Sequence, residues 1–380
     1  MRFESTAKTS RQYITETNNM SDKYLMEGHK LYWHLDRVLA WQRGEKIAPL
    51  HIDVGLSKGC NIRCEYCYGA LQGNLYKDGV KIYFPREPLL EYVRDAGEAG
   101  VASMGLIGEA EPLINPHVYE AIVAGSCAGV DMSLATNGVL FDTGRDGEEA
   151  LEHLIWIRFN ISAASHEAYQ RIHSTEDFET VVEKIRFCVD VKRKRNLDIT
   201  IGMQMVLTPN NVDQVVDLAR LGRELGVDYL VVKHCSDTVD NEIGYYNRLG
   251  EYCGFTDILK DAESQATDQY DVTIKWGKIT NCGERQYDQC LGVPFLLYSS
   301  GDGKLFPCGM FFSYKADEYC MGDLTKQRFT DIIQSERYWD VVERIKQIDV
   351  HSKCYSNCRT HSINEFLWQL ANPPKHVNFV

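Results

Sequence analysis

From His51 onward the chain alternates short runs of β-branched and aromatic residues with longer stretches whose apolar positions recur at helical spacing. The strand-like runs fall at 51–56, 102–107, 130–135, 155–162, 198–207 and 228–234, and helical periodicity occupies 87–99, 116–128, 147–153, 178–195 and 211–225. Six β units separated by helices call for a parallel sheet with right-handed crossovers. Six strands do not complete an eight-stranded barrel, so the expected fold is α/β, an open partial (β/α)6 TIM barrel. In such sheets chemistry gathers on loops at the carboxyl ends of the strands.

The pattern also divides the chain. Residues 1–48 are polar and helical in flavour, with an amphipathic piece around His29–His34, and the barrel is expected over 49–250. A linker is expected over 251–276, a small α+β module over 277–365 and a tail over 366–380, because short runs, glycines and further cysteines replace the regular alternation. Within the barrel, period-two parity sorts side chains. Arg158, Asn160 and Ser162 share the polar face of the fourth strand, opposite Ile157, Phe159 and Ile161. Gln204 shares the inward parity with Gly202 and Val206 on the fifth, and Lys233 and Cys235 share one parity near the end of the sixth.

Composition narrows the class of protein. The chain has 380 residues, 44% hydrophobic and 25% charged, as ordinary globular proteins do. A net charge of −13 argues against a nucleic-acid partner, since phosphate binding wants a basic face. The run Lys192-Arg193-Lys194-Arg195 is read as a solvated helix end, where cations suit the dipole. No apolar stretch is long enough for a membrane span, and the opening residues have no apolar core of the kind secretory signals carry. Thirteen cysteines then point to a reducing, cytoplasmic setting, in which thiols serve metals or redox chemistry.

Three of those thiols, Cys60, Cys64 and Cys67, crowd into KGCNIRCEYCYG immediately after the first strand. Closed structural metal sites normally take four ligands. Either a fourth comes from far along the chain, as in a zinc knuckle, or one coordination position is left open. The spacing C-x3-C-x2-C, with aromatic Tyr66 before the last Cys, resembles the signature of the radical S-adenosylmethionine (radical SAM) enzymes. The resemblance covers about 50–235. Gly108-Glu109-Ala110-Glu111-Pro112 looks like that family's Gly-Glu-Pro motif, which receives the methionyl amino group, with Ala110 where glycine is frequent. Thr136-Asn137-Gly138 is similar to its Thr-Asn-Gly turn beside the cofactor. The resemblance implies a [4Fe–4S] cluster on Cys60, Cys64 and Cys67, with S-adenosylmethionine on the open iron. It also implies cofactor contacts from Tyr66, Gly108, Glu109, Ala110, Glu111, Thr136, Asn137, Asn160, Ser162 and Gln204. The family often has Ser at the place of Asn160 and Asp at that of Ser162.

Downstream, Cys290, the Gly303-to-Cys308 hairpin and the pair Cys354 and Cys358 resemble the auxiliary-cluster modules called SPASM and, in a shorter form, twitch. The cysteine count favours the shorter, single-cluster form, with Cys290, Cys308, Cys354 and Cys358 as ligands of an auxiliary [4Fe–4S] cluster. Cys282 and Cys320 are alternative ligands, and Cys127, Cys188 and Cys253 fall in predicted helices and read as small core residues. Membership of this family implies reductive cleavage of S-adenosylmethionine and abstraction of a hydrogen atom. The expected substrate is a small polar molecule such as a sugar, aminocyclitol or nucleotide-sugar, oxidised or epimerised at carbon. Arg158 and Lys233 would bind it or assist proton removal, and Cys235 would return a hydrogen atom in an epimerase. A flavodoxin or ferredoxin would supply electrons. A peptide-modifying enzyme and a non-catalytic iron–sulfur electron carrier are the alternatives.

Overall fold

The computed structural model describes residues 23–67, 69 and 82–379. The expectation for residues 1–22 therefore lies outside the described residues. Ten strands form one sheet among them: β1 His51–Val54, β2 Ser103–Leu106, β3 Asp131–Thr136, β4 Leu154–Asn160, β5 Thr200–Leu207, β6 Tyr229–His234, β7 Asp271–Ile274, β8 Leu296–Ser299, β9 Lys304–Phe306 and β10 Gly322–Asp323. The spatial order is β10-β9-β8-β1-β2-β3-β4-β5-β6-β7. Every neighbouring pair from β8 through β1 to β7 is parallel, and only β9 and β10 run antiparallel.

The six expected strands are β1–β6, in place to within a few residues. Helices Arg86–Glu98, Val118–Cys127, Arg145–His153, Phe178–Arg195 and Val215–Leu225 join them. β5 and β6 are buried along most of their length, as parallel strands covered on both faces should be. Their side chains join one continuous core containing Ile52, Met104, Leu134, Phe159, Met203 and Val232. The basic run 192–195 is the last turn of the helix Phe178–Arg195, where Lys192 pairs with Asp228 and Arg195 with Glu148 and Glu152.

Two expectations need correction. The 251–276 segment is no linker, because it folds as the helix Thr256–Glu263 followed by β7, a further β/α unit on the far edge. β7 is four residues long, and only Val272 and Ile274 in it are buried, too few apolar positions to register as a strand run. Nor does the carboxyl-terminal module build a separate sheet: β8 pairs in parallel with β1, His51 opposite Leu296, and carries the β9–β10 hairpin on the barrel's own edge. The last long helix, His361–Ala371, runs across the expected boundary at 365. It meets the amino-terminal helix Leu35–Gln42 in a second apolar cluster with Leu31, Val38, Phe295 and Leu367.

Candidate active site

The cysteine loop follows β1 and a short ribbon, Ser57–Lys58 against Ile82–Tyr83. It is pinned from two sides, by a helix end and by the turn after β3. The helix His166–His173 ends beneath it, so that the free carbonyls of Ile172 and His173 accept the Glu65 and Arg63 N–H groups at 2.9 and 3.3 Å. From the same helix end, His173 Nδ1 reaches to 3.1 Å from Cys64 Sγ. The Asn137 amide at the end of β3 points Nδ2 at Cys60 Sγ, 3.6 Å away, and at Asn61 Oδ1, 2.8 Å away. The thiols feel one another: burial raises the Cys64 thiol well above its ordinary value, and the charges of Cys67 and Cys60 add to the shift. Burial likewise pushes Cys60 up to about 12, so coordination to a cation is what would hold these sulfurs as thiolates. Nitrogen donors around the sulfurs suit bound thiolates. The loop therefore fits the cluster implied by its spacing. Among the described residues no three His, Cys, Asp or Glu side chains converge closely enough to hold a single metal ion, as a zinc knuckle would require.

The end of β2 carries the two acidic candidates in different roles. Glu111 accepts Thr136 Oγ1 at 2.7 Å, Leu113 N at 3.0 Å and Asn137 N at 2.8 Å, so its carboxylate ties β2 to the Thr136-Asn137 turn. Burial raises its pKa to about 7 against those three bonds. Glu109, with φ of +42°, turns the other way and accepts Gly301 N from the β8–β9 hairpin. Burial raises it to about 7 as well, with Lys58 and the Gly301 N–H opposing. Ala110 bridges the two, its N–H donating to Gly108 O at 2.6 Å.

A cavity of about 1170 Å³ opens between the strand ends and the carboxyl-terminal module. Gly108, Glu109, Arg158, Gln204 and Lys233 line it from the barrel, and Cys290, Cys308, Cys354 and Cys358 line it from the module. Those four thiols are mutually close enough to interact: burial raises Cys354 most, and Cys358, Cys290 and Cys308 raise it further. Burial pushes Cys290 and Cys308 up to about 12. The donor set fits a four-thiolate cluster. Cys282 and Cys320 do not line the cavity; Cys282 interacts with Cys253, and Cys320 Sγ lies 3.4 Å from Gly322 O.

Three expected placements differ. Asn160 keeps its parity, but its Oδ1 accepts from Gln204 Nε2 at 2.9 Å, leaving Gln204 at the cavity. Ser162 is fully buried; its hydroxyl bonds Tyr66 OH at 2.8 Å and accepts Val206 N at 3.1 Å, so it props the cysteine loop. Cys235 is also fully buried, with Sγ 3.5 Å from Tyr66 O, and it does not line the cavity. Both residues lie beyond their strands, which end at Asn160 and His234, where alternation no longer fixes a side chain's direction. Sequence reasoning missed His173, Lys275, Lys278 and Arg359. The last three line the cavity from segments with no strand periodicity.

Comparison with known proteins agrees with this geometry. The family description "Radical SAM superfamily" matches residues 54–222, and "Iron-sulfur cluster-binding domain" (SPASM) matches 296–360. Residues 54–222 are thus a radical SAM domain and residues 296–360 a SPASM domain. The chain's fold is the superfamily's partial barrel with a carboxyl-terminal SPASM domain, and its cofactors are S-adenosylmethionine and [4Fe–4S] clusters. An AdoMet-dependent heme synthase from Methanosarcina barkeri is 23% identical over 339 residues, 81% of this chain and 88% of that protein. A probable GTP 3',8-cyclase from Saccharolobus solfataricus is 25% identical over 178 residues, 46% of this chain and 53% of its own. The structure of Streptococcus suis SuiB bound to precursor peptide SuiA superposes with a TM-score of 0.60 at 13% identity, covering 89% of this chain and 77% of SuiB. Among the described residues no helix of this radical SAM protein is long and apolar enough to cross a membrane.

Proposed function

We propose that this radical SAM enzyme oxidises a carbon centre of a small polar substrate held in the 1170 Å³ cavity. The observation that supports the reading is the continuity of that cavity, which runs from Gly108 and Glu109 to the four module cysteines. In this reading Cys60, Cys64 and Cys67 hold the first [4Fe–4S] cluster, and Cys290, Cys308, Cys354 and Cys358 hold a single auxiliary cluster. When bound, the first cluster and S-adenosylmethionine supply the 5′-deoxyadenosyl radical that takes a hydrogen atom, and the auxiliary cluster accepts an electron. The chain's own residues bind, orient and exclude water. Gly108 and Ala110 let the backbone approach the methionyl end, with Glu109 facing the cavity and Glu111 holding the Asn137 turn in register. Arg158 and Lys233 hold the substrate between the two ends. Epimerisation through Cys235 is disfavoured by the position of that thiol outside the cavity. The reductant is a flavodoxin or ferredoxin acting in the cytoplasm.

The second reading is a peptide substrate, favoured by the likeness in fold to SuiB with its precursor peptide. The experiment for the first is direct. Anaerobically reconstituted protein with dithionite and S-adenosylmethionine should release 5′-deoxyadenosine, and Cys60→Ala should abolish it. Release no greater than in the metal-free protein would leave an electron carrier as the better account.

A further inference from the structure

The chain as a whole is acidic, at −13, yet basic side chains on the cavity wall outnumber the carboxylates Glu27, Asp53, Glu109 and Glu365. Arg158, Lys233, Lys275, Lys278 and Arg359 all line it. Some of these cations are already engaged. Lys278 Nζ donates to Asn357 Oδ1 at 2.7 Å and Cys358 O at 3.0 Å, which places it beside the module cysteines, and Arg359 Nε lies 3.3 Å from Asp53 Oδ2. Asp53 is the counter-charge beside Arg359: burial alone would raise its carboxyl, but Arg359 and His51 hold it well below the usual carboxylate range.

Lys233 and Lys275 are different. Both side chains are partly buried, and each borders the cavity. Among the described residues neither ammonium has a hydrogen-bond or ion-pair partner, whereas buried charges in folded proteins are normally paired. Burial, then the repulsion of neighbouring cations, lowers both lysines, Lys233 to about 7. The principal charges acting on these two are other cations and Asp53, with no module thiol among them, so they are distinct from the Lys278 pair with the cluster loop. A fold that gathers unpaired cations against an enclosed space lowers its own stability unless an anion enters.

We propose that the substrate is a multiply charged anion, bearing two or more carboxylate or phosphate groups, that Lys233 and Lys275 bind as a pair with Arg158 beside them. This deepens the functional reading above and rests on it for the reaction, but binding can be measured separately. The probes are tricarballylate, fructose 1,6-bisphosphate and uncharged fructose, titrated calorimetrically into the reconstituted, anaerobic full-length protein. At least one anion should bind saturably and more weakly as salt rises, while fructose gives no signal. Tricarballylate alone would identify a polycarboxylate, and the bisphosphate alone a phosphate ester. Lys233→Met and Lys275→Met should each weaken that anion by roughly 10- to 100-fold, the range for lost charged hydrogen bonds. Lys233→Arg, which keeps the charge if Lys233→Met folds poorly, should retain most of the affinity.

Equal binding of fructose and the anions would overturn the proposal, and so would unchanged anion affinity in both methionine variants. A shift in the auxiliary cluster's potential without a change in anion affinity would assign the lysines to the cluster instead. Release of 5′-deoxyadenosine by the wild type is independent of all these results, so the functional reading and this one can fail separately.

Discussion

His173 Nδ1 lies 3.1 Å from Cys64 Sγ, while His173 Nε2 accepts the Ser162 N–H at 3.0 Å. A backbone N–H can only donate, so Nε2 carries no proton. Burial pushes the imidazole down to about 3, which keeps the ring neutral and leaves its one proton on Nδ1, aimed at the sulfur. Such a bond to a ligand sulfur stabilises the reduced cluster and orients the ligand. His173→Leu should therefore lower the potential of the first cluster and slow 5′-deoxyadenosine release by about 10- to 100-fold. His173→Gln, which keeps an N–H, should lose less. Protein-film voltammetry showing the same potential in His173→Leu would remove the bond from the account.

Gly301 joins the two halves of the molecule. Its N–H donates to Glu109, and a Cβ placed there would overlap the Ser57 carbonyl in the ribbon leading to Cys60. Gly301→Ala must push the hairpin away from the cysteine loop. Thermal unfolding should show a loss of about 1–3 kcal/mol, typical of overpacking. Binding of S-adenosylmethionine should weaken more than the iron bound by the SPASM domain. A variant with wild-type stability and affinity would show that the hairpin does not brace the site.

Lys233 gives a pH signature. Burial, then the repulsion of Arg158, Lys278 and Arg359, lowers it to about 7 against the attraction of Asp53. Below pH 7 the ammonium form predominates in the free enzyme and attracts an anionic substrate; above it the charge is lost. Accordingly kcat/KM should fall as pH rises through about 7, where Glu109 in the same cavity also titrates, since that parameter reports the free enzyme. Lys233→Arg, charged throughout, should flatten the profile. A limb that persists unchanged in that variant would assign the ionisation elsewhere.

Much of this architecture was legible in the chain. β1–β6 were readable because each sets buried apolar residues in a run or at period two, bounded by turns. The three clustered thiols and the Asn137 turn were readable because the residues are local in sequence. The pairing of β8 with β1 was not, since residues some 245 apart in the chain meet there and nothing local announces it. His173 stands 109 residues from Cys64, on a helix end that no motif marks. Ser162 and Cys235 misled for one physical reason: both lie past the strand ends at Asn160 and His234, where alternation stops fixing direction. Lys275 and Lys278 straddle the expected boundary between a linker and a separate module, yet β7 brings both against the barrel mouth.

Cys235 sits against the Tyr66 carbonyl, away from the cavity. Replacing it with Ala should leave 5′-deoxyadenosine release within about twofold of wild type, with a modest loss of stability from the vacated volume. In deuterium oxide the product carbon should carry no deuterium in either protein. Deuterium that appears in the wild-type product and disappears in Cys235→Ala would establish the thiol as a hydrogen donor and favour epimerisation.

The central claim is that two thiol sets on one cavity-bearing fold hold two separate clusters. Iron and acid-labile sulfide per chain test it most directly, measured on the reconstituted wild type and on two multiple variants. One lacks Cys60, Cys64 and Cys67; the other lacks Cys290, Cys308, Cys354 and Cys358. The account predicts about eight irons in the wild type and about four in each variant, as two cubane clusters require. About four irons in the wild type, or zinc in place of iron at either set, would contradict it.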